Sequence, residues 1–245
     1  MKAALITGAS RGVGRAVAFA LAKSGRYPAL VLVCRHDDGR LEALAEELLA
    51  INPELTCVVS SGDIGNYYYV EKLYDKVRSA GCSVELLINN AAVSYTGLLT
   101  DMTRDEWNES ISVNLNSLYN TCHTFVPDMI QKRFGTIINV SSVWGLVGAS
   151  CEVAYSATKG AVNSFTKALA KELAPSGIRV NAIALGIVDT EMNSHLSDED
   201  KQSICEDVPI GHMASAEDAA EAILKLADMP DYLTGSVIKF DGGWI

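Results

Sequence analysis

Two tyrosines in the chain precede a lysine by four residues: Tyr68 with Lys72 and Tyr155 with Lys159. Residues four apart share a helix face, so each ammonium can lie beside its phenol. A nearby cation favours phenolate and lowers a tyrosine pKa from its reference value near ~10, which makes the phenol a usable acid near neutrality. Spacing alone does not choose between the pairs, but context does. Tyr155 follows a β-branched run ending in Ser141-Ser142, whose hydroxyls would fall at the carboxyl end of a strand, where α/β proteins bind ligands. Tyr68 opens a helical stretch with nothing else reactive around it, and reads with Lys72 as a surface pair.

A second constellation stands near the N-terminus. A strand-like run leads into Thr7-Gly8-Ala9-Ser10-Arg11-Gly12-Val13-Gly14, and a helical pattern follows. Glycines let the backbone turn tightly and approach a pyrophosphate, while the new helix points free N–H groups and its positive dipole end at the phosphates. The spacing is G-x-x-x-G-x-G, and its place between a first strand and a first helix predicts dinucleotide binding. The next strand ends Val33-Cys34-Arg35. An acid at that end would accept from a ribose 2′-hydroxyl and repel a 2′-phosphate, whereas the planar fork of Arg35 suits a phosphate. With Arg11 in the loop, this favours NADP over NAD. Asp37 and Asp38 follow closely and pull the other way.

The elements that must position these groups alternate along the chain. Strand-like runs occupy 3–7, 30–34, 55–60, 84–89, 136–141, 179–184 and 237–240. Helical periodicity fills 12–24, 40–50, 66–80, 105–132, 155–173 and 216–228. Strands apolar on both faces and separated by helices indicate a parallel sheet covered on both sides. The predicted fold is therefore α/β: a single-domain, doubly wound, Rossmann-like sheet of about seven strands over residues 1–245. The polar stretch at about 191–212, with Ser197-Asp198-Glu199-Asp200 resembling a helix start, is a candidate substrate lid.

Bulk properties narrow the partners. Thirty acidic against twenty basic residues give a formal charge of −10, which argues against nucleic acid and anionic membrane surfaces. No apolar run reaches the ~18 residues that span a bilayer, and Met1 and Lys2 lead straight into a strand-like run, which predicts no signal peptide. The six cysteines are scattered without a C-x-x-C pair. They read as small buried thiols rather than metal ligands or disulfides, consistent with a reducing cytoplasm.

Taken together, the ordered motifs make the chain resemble the short-chain dehydrogenase/reductase family over essentially its whole length. The matching pieces are Thr7–Gly14, Asp63, Asn89-Asn90-Ala91-Ala92, Asn114, Ser142, Tyr155, Lys159, Gly186 with Thr190, and Asp241-Gly242-Gly243. The resemblance implies that Tyr155 donates the proton to a carbonyl oxygen, that Ser142 hydrogen-bonds that oxygen, and that Lys159 holds the nicotinamide ribose and lowers the tyrosine pKa. It implies that Asn114 kinks the long helix and holds a water linking Lys159 to solvent. Gly8, Ser10, Arg11, Gly12, Val13 and Gly14 would bind cofactor. So would Tyr155 and Lys159, Arg35, Asp63 and Ile64 at the adenosine, Asn90 and Ala91 beside it, and Gly186, Val188 and Thr190 near the carboxamide. It also implies a homotetramer packed through the helices at 105–132 and 155–173. Two departures stand out. Ala92 replaces the usual glycine, and Leu185-Gly186 replaces the usual Pro-Gly, which removes a fixed φ.

Three functions remain open. The first is NADPH-dependent reduction of a 3-oxoacyl thioester, as by 3-oxoacyl-[acyl-carrier-protein] reductases in fatty acid biosynthesis, with Lys132 and Arg133 as docking cations near the entrance for acidic acyl-carrier protein. The net charge, and Ser176 where such reductases often carry a basic residue, weaken it. The second rests on Trp144-Gly145 with Ser150-Cys151-Glu152, which resembles reductases of a 5-aminopentanone carried on elongation factor P. There Glu152 would attract the ammonium, with Trp144 and Met192 walling the methylenes. Against it, Glu152 can serve simply as a helix-start acid. The third is a non-catalytic NADP-binding regulator or scaffold, which the intact Asn/Ser/Tyr/Lys set disfavours.

Overall fold

A computed structural model describes residues 1–36, 39–194 and 196–245. Among these residues seven strands form one sheet: β1 (Lys2–Thr7), β2 (Ala29–Cys34), β3 (Thr56–Ser61), β4 (Ser83–Asn89), β5 (Gly135–Ser142), β6 (Ile178–Leu185) and β7 (Val237–Phe240). Their order is β3-β2-β1-β4-β5-β6-β7, and every pairing is parallel. Strand order reverses between β1 and β4, so their carboxyl ends open the crevice where such sheets take ligands.

Alternating side chains on the strands feed two cores. Ala4 and Ile6 of β1 pack against α1 (Gly12–Ser24), α2 (Arg40–Ile51) and α9 (Ala216–Ala227). Ala3 and Leu5 face the opposite layer, built from α3 (Tyr67–Ser79), α5 (Ser117–Lys132) and α7 (Val153–Leu173). The pattern expected at 105–132 is not one helix. It divides into α4 (Arg104–Ile111), a π-turn at Ser112–Asn116 and α5, with Asn114 inside the π-turn, where such irregularities often serve function. The stretch at 191–212 contains a 3₁₀ turn at Glu191–Asn193 and α8 (Asp198–Asp207), and Ser197 caps α8 in a capping box with Asp200.

A buried polar chain crosses the sheet and ties two helices to it. Thr121 Oγ1 of α5 donates to Asn89 Oδ1 at 2.8 Å, and Asn89 Nδ2 donates to Asn139 Oδ1 at 2.9 Å. Asn139 Nδ2 then donates to Thr166 Oγ1 of α7 at 2.9 Å. Asn139 and Thr166 have no solvent exposure, so every link is made in a low-dielectric interior, where an unpaired member is costly. This chain sets the height of α5 and α7 against β4 and β5. Asn139→Ala strips a partner from both Asn89 and Thr166, and it should lower unfolding free energy by about 2–4 kcal/mol in urea titrations. A loss under about 0.5 kcal/mol would show that the chain holds nothing in place.

Candidate active site

The carboxyl end of β5 and the start of α7 bring Ser142, Tyr155 and Lys159 together. The Ser142 hydroxyl lies near enough to the Tyr155 phenol to favour its ionised form, and it accepts the Trp144 N–H at 3.2 Å. Lys159 is 3% exposed, and its Nζ donates to the Val140 carbonyl at 2.8 Å and lies 5.5 Å from the centre of the Tyr155 ring. α6 (Trp144–Val147) follows Ser142 directly and presses on α7. A side chain at Gly145 would put its Cβ 2.5 Å from the Lys159 carbonyl carbon, so only glycine lets the two backbones meet there. Tyr68, by contrast, is 74% exposed.

The electrostatics differ from the expectation that Lys159 lowers the Tyr155 pKa. Burial pushes the phenol above its ordinary value, the Glu152 carboxylate adds to the rise, and only the nearby Ser142 hydroxyl opposes it. Lys159 is itself pushed down to about 8 by burial, because water does not solvate its ammonium. Its shown partner is the Val140 carbonyl rather than the phenol.

Asn114 is a clamp in this structure. Its Nδ2 donates to the Val93 carbonyl at 2.9 Å and to Thr158 Oγ1 at 3.1 Å, and its Oδ1 accepts the Val93 N–H at 2.8 Å. It thereby joins the segment leaving β4 to α7, one residue from Lys159, and makes no contact of its own with that ammonium among these bonds.

The glycine loop is drawn tightly around β4's exit. The Asn90 and Ala91 N–H groups donate to Thr7 Oγ1 at 2.9 and 3.0 Å, and Asn90 Nδ2 donates to the Thr7 carbonyl at 3.0 Å. A Cβ at Gly14 would lie 2.2 Å from the Gly8 carbonyl oxygen, so the turn requires glycine there. Ser10 is part-buried and Arg11 exposed at the loop's tip. Gly12 has φ +52, with its open side against the Thr190 methyl, and Val13 packs into the core below. α1 starts without a side-chain cap or an acid in its first turn, which leaves its N–H groups and dipole for an anion. These features fit the pyrophosphate of a nicotinamide dinucleotide.

The remaining candidates surround the same crevice. Asp63 closes a turn by accepting the Gly65 N–H at 2.8 Å, and the Ile64 carbonyl is held by Asn120 at 3.0 Å. Gly186 abuts Asp241, and the Val188 carbonyl accepts Asn193 Nδ2 at 2.7 Å. Arg35 is ion-paired with Glu109, and Arg11 and Arg40 both reach Glu191, at 3.2 and 3.4 Å. Asp37 and Asp38 lie outside the described residues. Glu152 occupies the position just before α7 without capping it through its side chain, and Met192 is 45% exposed in the 3₁₀ turn.

Two outcomes were not legible beforehand. Trp144 packs against Trp244 near the chain's end, ring centres 4.9 Å apart and planes tilted by 56°, a pairing one hundred residues apart in sequence that no local pattern encodes. Lys132 and Arg133 do not flank the cleft. They close α5 at the amino end of β5, whose eight residues carry Ser142 about 23 Å away at the other end. Their side chains are spent on Ser83 and the Pro175 carbonyl.

Residues 2–201 match the model of the short chain dehydrogenase family. The chain is 38% identical to "Uncharacterized oxidoreductase YmfI" of Bacillus subtilis, over 99% of this chain and 98% of the relative. It is 37% identical to the 3-oxoacyl-[acyl-carrier-protein] reductase FabG of Staphylococcus epidermidis, over 99% and 98%. Among solved structures, a putative gluconate dehydrogenase from Agrobacterium tumefaciens superposes with TM-score 0.93 at 26% identity, over 99% of this chain and 95% of that one. A 3-oxoacyl-[acyl-carrier protein] reductase from Brucella melitensis superposes with TM-score 0.90 at 29% identity, over 100% and 91%.

The buried ammonium has a consequence for stability. The folded pKa of about 8 lies below the ordinary 10.5, so the unfolded chain binds more protons between those values and stability rises with pH there. The cost of burying the charge is complete below pH 8 and gone above 10.5. Lys159→Met should therefore stabilise the fold at pH 7 by roughly 1–3 kcal/mol while abolishing turnover, and the gain should vanish by pH 10.5. Equal stability differences at pH 7 and pH 10.5 would contradict the burial of a charged lysine.

Proposed function

Because the chain belongs to the short-chain dehydrogenase/reductase family, we propose that it uses NADPH to reduce a ketone to a secondary alcohol, the ketone being a 3-oxoacyl thioester of the type named for its reductase relatives. The observation that carries the reductase reading is Lys159, buried with its Nζ 5.5 Å from the Tyr155 ring, beside Ser142 at the sheet end that also holds the glycine loop. The intact constellation is what sets this reading above a non-catalytic regulator or scaffold.

The nicotinamide supplies the hydride. The chain supplies the proton and holds the oxygen. As the carbonyl carbon gains hydride, its oxygen becomes an alkoxide, and the Tyr155 O–H donates to it. The Ser142 hydroxyl donates to the same oxygen as a preorganised stabiliser of the developing charge. Burial keeps Tyr155 protonated well past neutrality, so the acid is in place throughout the working range. Lys159 holds the nicotinamide ribose, and the phenolate left behind, favoured by the Ser142 hydroxyl, takes a proton back from solvent. Asn114 keeps α7 and the β4 exit in register during this exchange. Asp63, Ile64, Asn90 and Ala91 receive the adenosine half, with Arg35 and Arg11 on its 2′-phosphate. Gly186, Val188 and Thr190 receive the carboxamide, and the stretch at 191–212 acts as the lid. Exposed Trp107, Tyr119 and Val153 on α4, α5 and α7 fit assembly into a tetramer in the cytoplasm.

A second substrate reading has a specific observation behind it. Glu152 acts electrostatically on the reacting phenol, and Trp144 and Trp244 form an aromatic wall close to Ser142. A carboxylate near the carbonyl repels an acidic carrier protein and attracts an ammonium, as on an aminoketone such as the 5-aminopentanone of modified elongation factor P. The displaced Lys132 and Arg133 remove the basic docking patch from the entrance of a single subunit.

A ketone panel separates the readings. With NADPH, a 3-oxoacyl thioester should show the highest kcat/KM, and NADH should support slower turnover. If an aminoketone leads instead, and Glu152→Gln lowers its advantage over a matched neutral ketone by roughly 5–30-fold, the thioester reading gives way. Absence of NADPH oxidation with every activated ketone would restore the scaffold.

A further inference from the structure

The fork of Arg35 already has an anion on it. Arg35 Nη1 is bonded to Oε1 of Glu109, and the Tyr95 hydroxyl donates to the other oxygen, Oε2, at 2.7 Å. Glu109 comes from the last turn of α4, whose first turn is fixed by the Thr103–Glu106 capping box. Tyr95 comes from the segment after β4. The carboxylate is thus held from both sides, one oxygen on each neighbour, and stands at the end of β2. That is where a dinucleotide fold ordinarily places the acid that accepts a ribose 2′-hydroxyl. In this chain the residue at that end is arginine, and the acid arrives from another element.

We propose that Glu109 is a specificity-determining residue for the cofactor: held by Tyr95, it occupies the Arg35 fork against a 2′-phosphate and offers an acceptor to a 2′-hydroxyl. The inference rests on Arg35 being the phosphate ligand of the proposed function. An NADPH phosphate must displace the carboxylate or lie beside it, and either course costs binding. NADH brings an uncharged hydroxyl that the carboxylate can accept. Glu109 therefore narrows the preference for NADPH that Arg35 creates. Both side chains are partly exposed, 41% for Arg35 and 29% for Glu109, so the pair is screened and the effect is modest.

The test is fluorescence titration of NADPH and NADH at one ionic strength into wild type, Glu109→Gln and Arg35→Ala. Glu109→Gln is isosteric and lies at a part-exposed site, so the fold is preserved. It should tighten NADPH by about two- to fivefold and leave NADH unchanged or weaker. Weaker NADPH binding in Glu109→Gln would mean that the carboxylate aims the fork, and would overturn the proposal. Equal shifts for both cofactors, or none for either, would overturn it too. Arg35→Ala separates the two layers. If it lowers the NADPH preference while Glu109→Gln leaves the ratio unchanged, only the role of Glu109 falls. If it leaves the ratio unchanged, the phosphate reading of Arg35 falls and this proposal falls with it.

Discussion

An ammonium kept where water does not reach it is the constraint around which this cleft is built. Lys159 is almost wholly buried, its charge answered by the Val140 carbonyl. That arrangement ties the spacing of β5 and α7 to the bond between Lys159 and Val140. Gly145 lets α6 back onto α7, Ser141 Oγ donates to the Lys159 carbonyl at 3.3 Å, and the buried Asn89–Asn139–Thr166 chain fixes the helix to the strands. Ser142 and Tyr155 inherit their alignment from this frame. A buried lysine with a depressed pKa costs folding energy, so its place here follows from chemistry rather than stability.

Around the cofactor crevice the cations are matched by carboxylates from distant parts of the chain. Arg35 meets Glu109, and Arg11 and Arg40 meet Glu191 at the first residue of the 191–212 stretch. With a formal charge of −10, local pairing keeps these arginines oriented while the molecule as a whole stays acidic. A phosphate entering here competes with acids already seated.

Much of the fold was legible because it is encoded locally. All seven strands fall within about a residue of the β-branched runs, since parallel strands buried on both faces must be continuously apolar. Ser197 announced α8 through a capping box, which is a four-residue signal. The resemblance implied a kink at Asn114, but the helical pattern over 105–132 did not show how it is made, which is by the π-turn at Ser112–Asn116. The site was legible as far as its groups lie at strand and helix ends, as Ser142, Tyr155, Lys159 and the glycine loop do. What could not be read depends on which ends the crossovers bring together. Arg35 with Glu109 and Trp144 with Trp244 are such pairs. The remoteness of Lys132 and Arg133 from the cleft follows from the antiparallel run of α5 against β5.

In the proposed function Tyr155 gives the proton, and its hydroxyl is not what keeps NADPH bound. Comparing NADPH affinity and steady-state ketone reduction in Tyr155→Phe, with Tyr68→Phe as its counterpart, tests that most directly. The expected result is unchanged NADPH binding with turnover lower by about 10²-fold or more in Tyr155→Phe, and wild-type behaviour in Tyr68→Phe. Full turnover in Tyr155→Phe would contradict the account.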